Sequence, residues 1–344
     1  MQATYPMAYV TAPGKVEFRE HRLPKMQVHQ VLVKVRAASI CGSDLHIFKG
    51  RHPAAPLPVA VGHELSGEIV QVGSEVTLLK EGDRVAVEPV IACGNCHFCQ
   101  RGEYHLCLNI SFQYRQGQGA FAPYFVADER WVHTLPANVS FAEGALLEPL
   151  SVAVHAVRKS GLQFGQTSAV FGAGAIGLLL LMVIKQAGGG DCFVVDLQPH
   201  RLEAARQLSG IALNAREVDV LMYINEATSS LGVERSYEAV GIEATLVQAL
   251  QVLKKGGIAT LVGIFEEPQV SIPANLFVQR EITLSGSQGY CWDFQRALEL
   301  VGDGRVQLGA LITHRLPLPA LQQAFDLLSE PGNKGIKVVV TIDG

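Results

Sequence analysis

The stretch from Ser168 to Asp196 constrains the fold more than any other. Ser168-Ala169-Val170-Phe171-Gly172 is a short apolar strand ending in glycine, Gly172-Ala173-Gly174-Ala175-Ile176-Gly177 fits G-x-G-x-x-G, and a helical run from Ala175 to Ala187 follows. In that placement the first glycine permits a tight turn, the second lets the backbone approach a pyrophosphate, and the third lets helix pack on strand. The helix N-terminus then offers free N–H groups and a partial positive charge. Cys192–Asp196 reads as a second strand whose last residue, Asp196, falls 19 positions after Gly177. A carboxylate there accepts hydrogen bonds from adenosine ribose hydroxyls and repels a 2′-phosphate, so NAD is expected over NADP. The bland alternative is an apolar helix that starts with glycines and an Asp that caps the next helix. Strand, loop, helix and acid in sequence favour the dinucleotide. Arg201 reads two ways, over the adenine or as a solvated helix residue.

Further strands are expected at Ser236–Val240, Ile258–Val262 and Ile282–Ser285, each after a helical or polar stretch, with a helix at Leu202–Leu208. Such alternation predicts a doubly wound parallel sheet with helices on both faces. The first third reads differently. Runs such as Val31–Val35 and Val85–Val87, separated by turns such as Glu81-Gly82-Asp83, predict a β-rich region without a long amphipathic helix. After Ser285 come helices around Phe294–Val301 and Leu318–Leu328 and a last strand at Ile336–Thr341. With 344 residues, 48% of them apolar, the chain can fill two cores.

The 28 basic and 32 acidic residues form no long single-sign run, which argues against nucleic acid or an anionic membrane and for a small-molecule partner. The longest charge-free apolar stretch, Ala169–Ile184, has 16 residues and three glycines, short of the roughly 20 a membrane-spanning helix needs. The start, MQATYPMAYVTAPGK, lacks a basic segment followed by an apolar one, so a cytoplasmic, reducing setting is expected.

Four of the seven cysteines, Cys93, Cys96, Cys99 and Cys107, follow C-x2-C-x2-C-x7-C. Disulfides are disfavoured in a reducing compartment. A ferredoxin-type cluster wants its fourth cysteine about three residues after the third and then proline, whereas Leu108 follows Cys107 here. Zinc fits best, and four thiolates leave it no open position, so this site is expected to be structural. Three other groups, Cys41-Gly42-Ser43-Asp44-Leu45-His46, Gly62-His63-Glu64 and Glu148-Pro149-Leu150, combine a thiolate, an imidazole and carboxylates. One of each would leave the open position that a catalytic zinc requires. Taken singly, Cys41 reads equally as a buried small residue, His63 as a core histidine and Glu148 as a turn carboxylate.

CGSDLH, GHELSG, the four-cysteine lobe, EPLSVAVHA and GAGAIG occur in the order seen in zinc-dependent medium-chain dehydrogenases, and the sequence resembles their polyol and diol branch from about residue 8 onward. The resemblance implies a GroES-like β-barrel catalytic domain, residues 1–150 with a return at 286–344, around a Rossmann domain at 151–285. It assigns Cys41, His63 and Glu64 to catalytic zinc, with Glu148 either in the shell or holding the zinc-bound water. It implies that Ser43 takes the hydroxyl proton and passes it through the cofactor ribose to His46. Asp44 is expected to orient His63, because ligating histidines usually give their second N–H to an acceptor. The expected activity is reversible NAD-linked oxidation of a secondary alcohol in a polyol, diol, sugar alcohol or sugar acid, by a homotetramer or homodimer. Sorbitol-type relatives carry an arginine where Gly289 stands, and the segment Gly117–Tyr124 also departs from the family pattern. Phe48 and Phe121 read as pocket or core residues. A non-catalytic dinucleotide-binding structural or regulatory protein is the competing reading. It has no use for an open zinc position.

Overall fold

A computed structural model describes residues 4–52, 55–112 and 116–342. The chain divides into two units: one takes in the chain up to Glu148 and again from Phe294, the other is Pro149–Asp293.

In the first unit, β1 (Thr4–Ala12) and β2 (Lys15–Arg22) form a hairpin turning at Gly14, whose φ of 76° suits glycine. Next come β3 (Gln30–Ser39), α1 (Gly42–Phe48), β4 (Val59–Ala60), β5 (Glu64–Val72) and β6 (Arg84–Val87). A lobe follows, in which β7 (Val90–Ile91) pairs with β8 (Ser111–Phe112) around the short helix α2 (His97–Gln100). Then β9 (Tyr124–Asp128), β10 (Val132–Thr134) and α3 (Phe141–Ala145) complete the first passage. The sheet β10-β6-β5-β3 is extended by two strands from the far end of the chain, while β9 also pairs with β3 and β4 joins the β1–β2 hairpin. One core serves both sheets. It includes Val10, Val33, Val35, Ile69, Val85, Phe121 and Phe125, each at most 1% exposed, and burying a side chain of this size contributes about 1.5–3 kcal/mol.

The chain enters the second unit within α4 (Leu147–Ser160). Here β11 (Ser168–Phe171), α5 (Ala175–Gln186), β12 (Cys192–Asp196), α6 (Pro199–Gln207), β13 (Ile211–Asn214), α7 (Val220–Ala227), β14 (Val233–Glu238), α8 (Glu243–Gln251), β15 (Leu253–Leu261), α9 (Asn275–Arg280) and β16 (Thr283–Gly286) alternate. All strands pair in parallel, in the order β13-β12-β11-β14-β15-β16. The chain starts at β11, runs outward to β13, then restarts beside β11 with β14. That reversal is the topological switch point at which open parallel sheets bind ligands.

The expected boundary at 285/286 falls inside β16; the chain leaves this unit only at Asp293. The reason is a clasp on the buried Asp293 carboxylate within the unit. Arg158 of α4 donates through Nε (2.8 Å) and Nη2 (3.0 Å) to the Asp293 carboxylate, and His155 Nδ1 lies 2.7 Å from it. Back in the first unit, α10 (Asp293–Gly302), β17 (Ile312–Pro317), α11 (Leu321–Ser329) and β18 (Lys337–Thr341) follow. β18 pairs antiparallel with β3 and parallel with β17, and so places the chain's last strand at the centre of the first unit's larger sheet.

Candidate metal centres and dinucleotide site

The register of β3 on β5 sets Ser39 opposite Glu64, so the residue that caps α1, Cys41, and the residue before β5, His63, meet at the same sheet end. The ligand atoms of Cys41, His63 and Glu64 all lie within 4.8 Å of one another. Asp44 organises this corner. Its carboxylate, 1% exposed, accepts the backbone N–H of Cys41 (3.0 Å) and of Gly62 (3.1 Å) and stands 3.6 Å from His63 Nδ1. Burial alone would raise its pKa, but His63 and the two N–H groups outweigh that and hold it below the usual carboxylate range. Burial likewise works against a charged His63, yet Asp44 and Cys41 push the imidazole well above its ordinary value. Gly62 has a φ of 90°, and a side chain there would run into the Phe121 ring at 2.8 Å.

Glu64 is fully buried and has a partner that no sequence spacing could reveal. Lys337 of β18, 3% exposed, donates from Nζ to Glu64 Oε1 (2.6 Å), to Oε2, and to the carbonyl of Ile40 (3.1 Å); Ser39 Oγ also bonds Oε2. Burial disfavours the ammonium, but Glu64 and Cys41 more than compensate, and the Lys337 pKa is raised. A sulfur, a nitrogen and a carboxylate oxygen converging here make a donor set zinc accepts, one ligand short of a tetrahedral shell.

Glu148, in the first turn of α4, does not join that close set of ligand atoms. It senses them: burial first, then the Glu64 and Asp44 carboxylates, push its pKa up to about 7 against the pull of His63 and Lys337. Ser43 and His46 lie three residues apart on α1, the spacing that puts two side chains on one helix face. Phe48 and Phe121 are core residues: Phe48 stacks on Phe325 at 4.9 Å and Phe121 meets the same ring edge-on at 6.1 Å. Gly289 has open space where a side chain would begin. In the segment 117–124, Gly119 leaves no such room, since a Cβ there would fall 2.4 Å from the Val61 carbonyl oxygen.

Cys93, Cys96, Cys99 and Cys107 converge in the lobe with all ligand atoms within 4.8 Å, and none of the four is in a disulfide. Backbone N–H groups of Cys93 and Asn109 point at Cys107 Sγ, each at 3.3 Å. N–H groups of Cys99 and Leu108 lower the Cys96 pKa to about 6, while burial pushes Cys99 up to about 12. Four crowded thiols thus share charge unevenly, and a dication would favour the thiolate in all of them. The lobe is tied down through Tyr104, whose hydroxyl donates to buried Glu88 (3.0 Å), which His133 holds from the other side at 2.7 Å.

In the second unit Gly172 adopts φ 100°, and a Cβ on Gly177 would fall 1.7 Å from the Gly172 carbonyl oxygen, so the third glycine permits the helix–strand approach. Gly174 faces open space. Ala175, Ile176 and Gly177 precede the first bond of α5, from Leu178 N to Gly174 O (3.0 Å), as an anion site requires. Asp196 closes β12 and stabilises the loop itself. One oxygen accepts Ala173 N–H (2.7 Å), the other those of Leu197 (2.7 Å) and Gln198 (2.9 Å). Arg201 brings its guanidinium to 3.8 Å from Asp196. The loop's tight turn and close helix–strand approach were legible in its glycines; its hydrogen bond to Asp196 was not.

The chain matches the alcohol dehydrogenase GroES-like domain over residues 27–137 and the zinc-binding dehydrogenase domain over residues 175–303. It is 36% identical to a sorbitol dehydrogenase of Bacillus subtilis, covering 92% of each chain. It is 35% identical to a D-arabitol-phosphate dehydrogenase of Enterococcus avium, covering 96% of this chain and 95% of that one. Its structure superposes on the crystal structure of 2R,3R-butanediol dehydrogenase from Bacillus subtilis with a TM-score of 0.90 at 34% identity, covering 98% and 100% of the two chains. Two thiol-bearing sets of candidate metal ligands in one unit and a glycine-loop parallel sheet in the other have one explanation: the chain belongs to the zinc-binding dehydrogenases, enzymes built from a GroES-like and a Rossmann-type domain that work with zinc and a nicotinamide dinucleotide.

Proposed function

We propose that this enzyme catalyses the reversible, NAD-linked oxidation of a secondary alcohol in a polyol, diol, sugar alcohol or sugar acid, with one catalytic and one structural zinc per chain. The observation that carries the reading is the convergence of Cys41, His63 and Glu64 to within 4.8 Å, separate from an equally tight four-cysteine set. The names of the relatives, sorbitol, arabitol-phosphate and butanediol dehydrogenase, support hydroxyl-rich substrates. When bound, zinc supplies a Lewis acid that lowers the pKa of an alcohol, and the nicotinamide supplies the hydride acceptor.

The chain's own residues do the rest. Cys41, His63 and Glu64 would hold the catalytic zinc, and Cys93, Cys96, Cys99 and Cys107 the structural one. Asp44 fixes the loop carrying Cys41 and His63. Ser43 takes the hydroxyl proton, and His46 on the same face of α1 hands it to solvent. Glu148, in the first turn of α4, would either enter the catalytic zinc's shell or hold the water in it. Asp196 favours NAD over NADP, while Gly172, Gly174, Ala175, Ile176 and Gly177 receive the pyrophosphate and Arg201 lies alongside. A cytoplasmic homo-oligomer, tetramer or dimer, completes the reading, supported by the family resemblance.

The test is absorbance at 340 nm with NAD and a panel of diols, polyols, sugar alcohols and sugar acids at several pH values, alongside a metal count. Substrate-dependent NADH formation with two zinc ions per chain is expected. Turnover that persists in Cys41→Ser would refute the assignment.

A further inference from the structure

The sheet order dictates where the two ends of a dinucleotide go. Asp196 on β12 marks the adenosine side, and the glycine loop after β11 marks the pyrophosphate. The remaining half must therefore cross the switch point to the carboxyl ends of β14 and β15. There the turns after the two strands present Val240, Ile242 and Ile264, exposed by 44%, 51% and 58%, an apolar wall suited to a flat ring.

Beneath this wall lies Glu238, the last residue of β14 and only 1% exposed. Its Oε1 accepts three donors: Val240 N–H (2.9 Å), Gly241 N–H (2.8 Å) and Thr245 Oγ1 (2.7 Å). Its backbone carbonyl accepts Val262 N–H (2.9 Å) and Gly263 N–H (3.0 Å), so both turns are assembled on this one residue. They close tightly. A Cβ on Gly263 would meet Glu238 Oε2 at 2.6 Å, and one on Gly241 would meet the Ile264 carbonyl oxygen at 2.2 Å.

Oε2 is buried without a hydrogen-bond partner, and among the described residues no cation pairs with the carboxylate. A buried charge without a counter-ion is costly, and its presence calls for an explanation. Anchoring the turns does not supply one, because the carbonyl oxygen of a glutamine could accept the same three bonds. What glutamine lacks is the negative charge. The nicotinamide ring carries a positive charge when oxidised and none when reduced.

We propose that the buried carboxylate of Glu238 sets the relative affinity for the two redox forms of the dinucleotide, favouring the oxidised, cationic ring. The proposal rests on the reading of this unit as a dinucleotide site. Glu238 is a positioning and electrostatic residue that does not touch the reacting atoms.

The test is the ratio of dissociation constants for NAD and NADH, measured by calorimetry and by NADH fluorescence on the zinc-loaded protein and on Glu238→Gln. A unit charge acting over about 10 Å at an effective dielectric of roughly 20 to 40 predicts that Kd for NAD rises about 4- to 15-fold, while Kd for NADH changes by less than about twofold. Glu238→Asp, which keeps the charge but shortens the reach to its three donors, should weaken both forms and hold the parental ratio. An unchanged ratio in Glu238→Gln, or a shifted ratio in Glu238→Asp, overturns the proposal. Should Glu238→Gln fail to fold, a shifted ratio in Glu238→Asp still overturns the proposal. If the parent binds neither form, the dinucleotide reading itself falls and takes this inference with it.

Discussion

Replacing Lys337 by methionine tests the architecture of the metal corner most directly. Methionine fills a similar volume but leaves Glu64, which is fully buried, with Ser39 as its remaining polar partner, and removes the donor to the Ile40 carbonyl. Removing one member of a buried ion pair costs about 3–5 kcal/mol, because the other charge is left uncompensated. For a unit of this size, about 2–4 °C of melting temperature goes with each kcal/mol, which gives a loss of about 6–20 °C in chelator-treated protein. With zinc bound, Glu64 regains a cation and the loss should shrink. If it shrinks by about 2 kcal/mol, linkage requires the variant to bind zinc about 30-fold more tightly than the parent. The assay is thermal melting of parent and variant in matched metal-free and zinc-loaded states, with a competitive zinc titration. The cysteine lobe contributes equally to both proteins and cancels. A chelator-treated variant melting within about 2 °C of the parent, or an equal loss in both metal states, would refute the reasoning.

Cys99→Ser should lower the melting temperature and the metal count by one ion per chain without altering the Cys41 corner, because the lobe loses a ligand. A variant that melts like the parent counts against a structural site. Asp196→Ala should raise the NADP/NAD ratio of kcat/KM by about tenfold or more, through loss of a charge-assisted contact to the ribose; equal selectivity would remove Asp196 from that contact. Despite its burial, bonds from His155 and Arg158 hold the Asp293 pKa at about 2, below its value in the unfolded chain. The stability it contributes is present above about pH 4 and lost as pH falls toward 2. Asp293→Asn should flatten the acid limb of the stability curve, and an unchanged limb would show that the clasp carries no such linkage.

The parallel-sheet unit was readable because its signals are local. Cys192–Asp196 is a strand with the expected limits, the strand expected over Ser168–Gly172 ends one residue earlier at Phe171, and the helix expected over Ala175–Ala187 runs to Gln186. β13 and α7 escaped notice: Ile211–Asn214 is four residues long, and α7 starts on an Asp219 cap within a polar stretch. The candidate ligands could be picked out from short motifs, but their support could not. Lys337 lies 273 residues from Glu64, and their encounter depends on β18 pairing with β3. Periodicity within either segment carries no trace of the other. Phe48 and Phe121 illustrate the converse limit, since an aromatic beside a metal motif packs as readily into a core as into a pocket.

The pairing of β18 with β3 also orders events on the ribosome. The second unit is one uninterrupted stretch, with all six strands synthesised before Lys337 emerges. Nascent chains generally acquire structure segment by segment as they appear, so the corner around Glu64 can take up its full set of contacts only after the second unit has been made. Until then Glu64 lacks the Lys337 ammonium, and a cation arriving between Cys41, His63 and Glu64 would serve as its counter-charge instead.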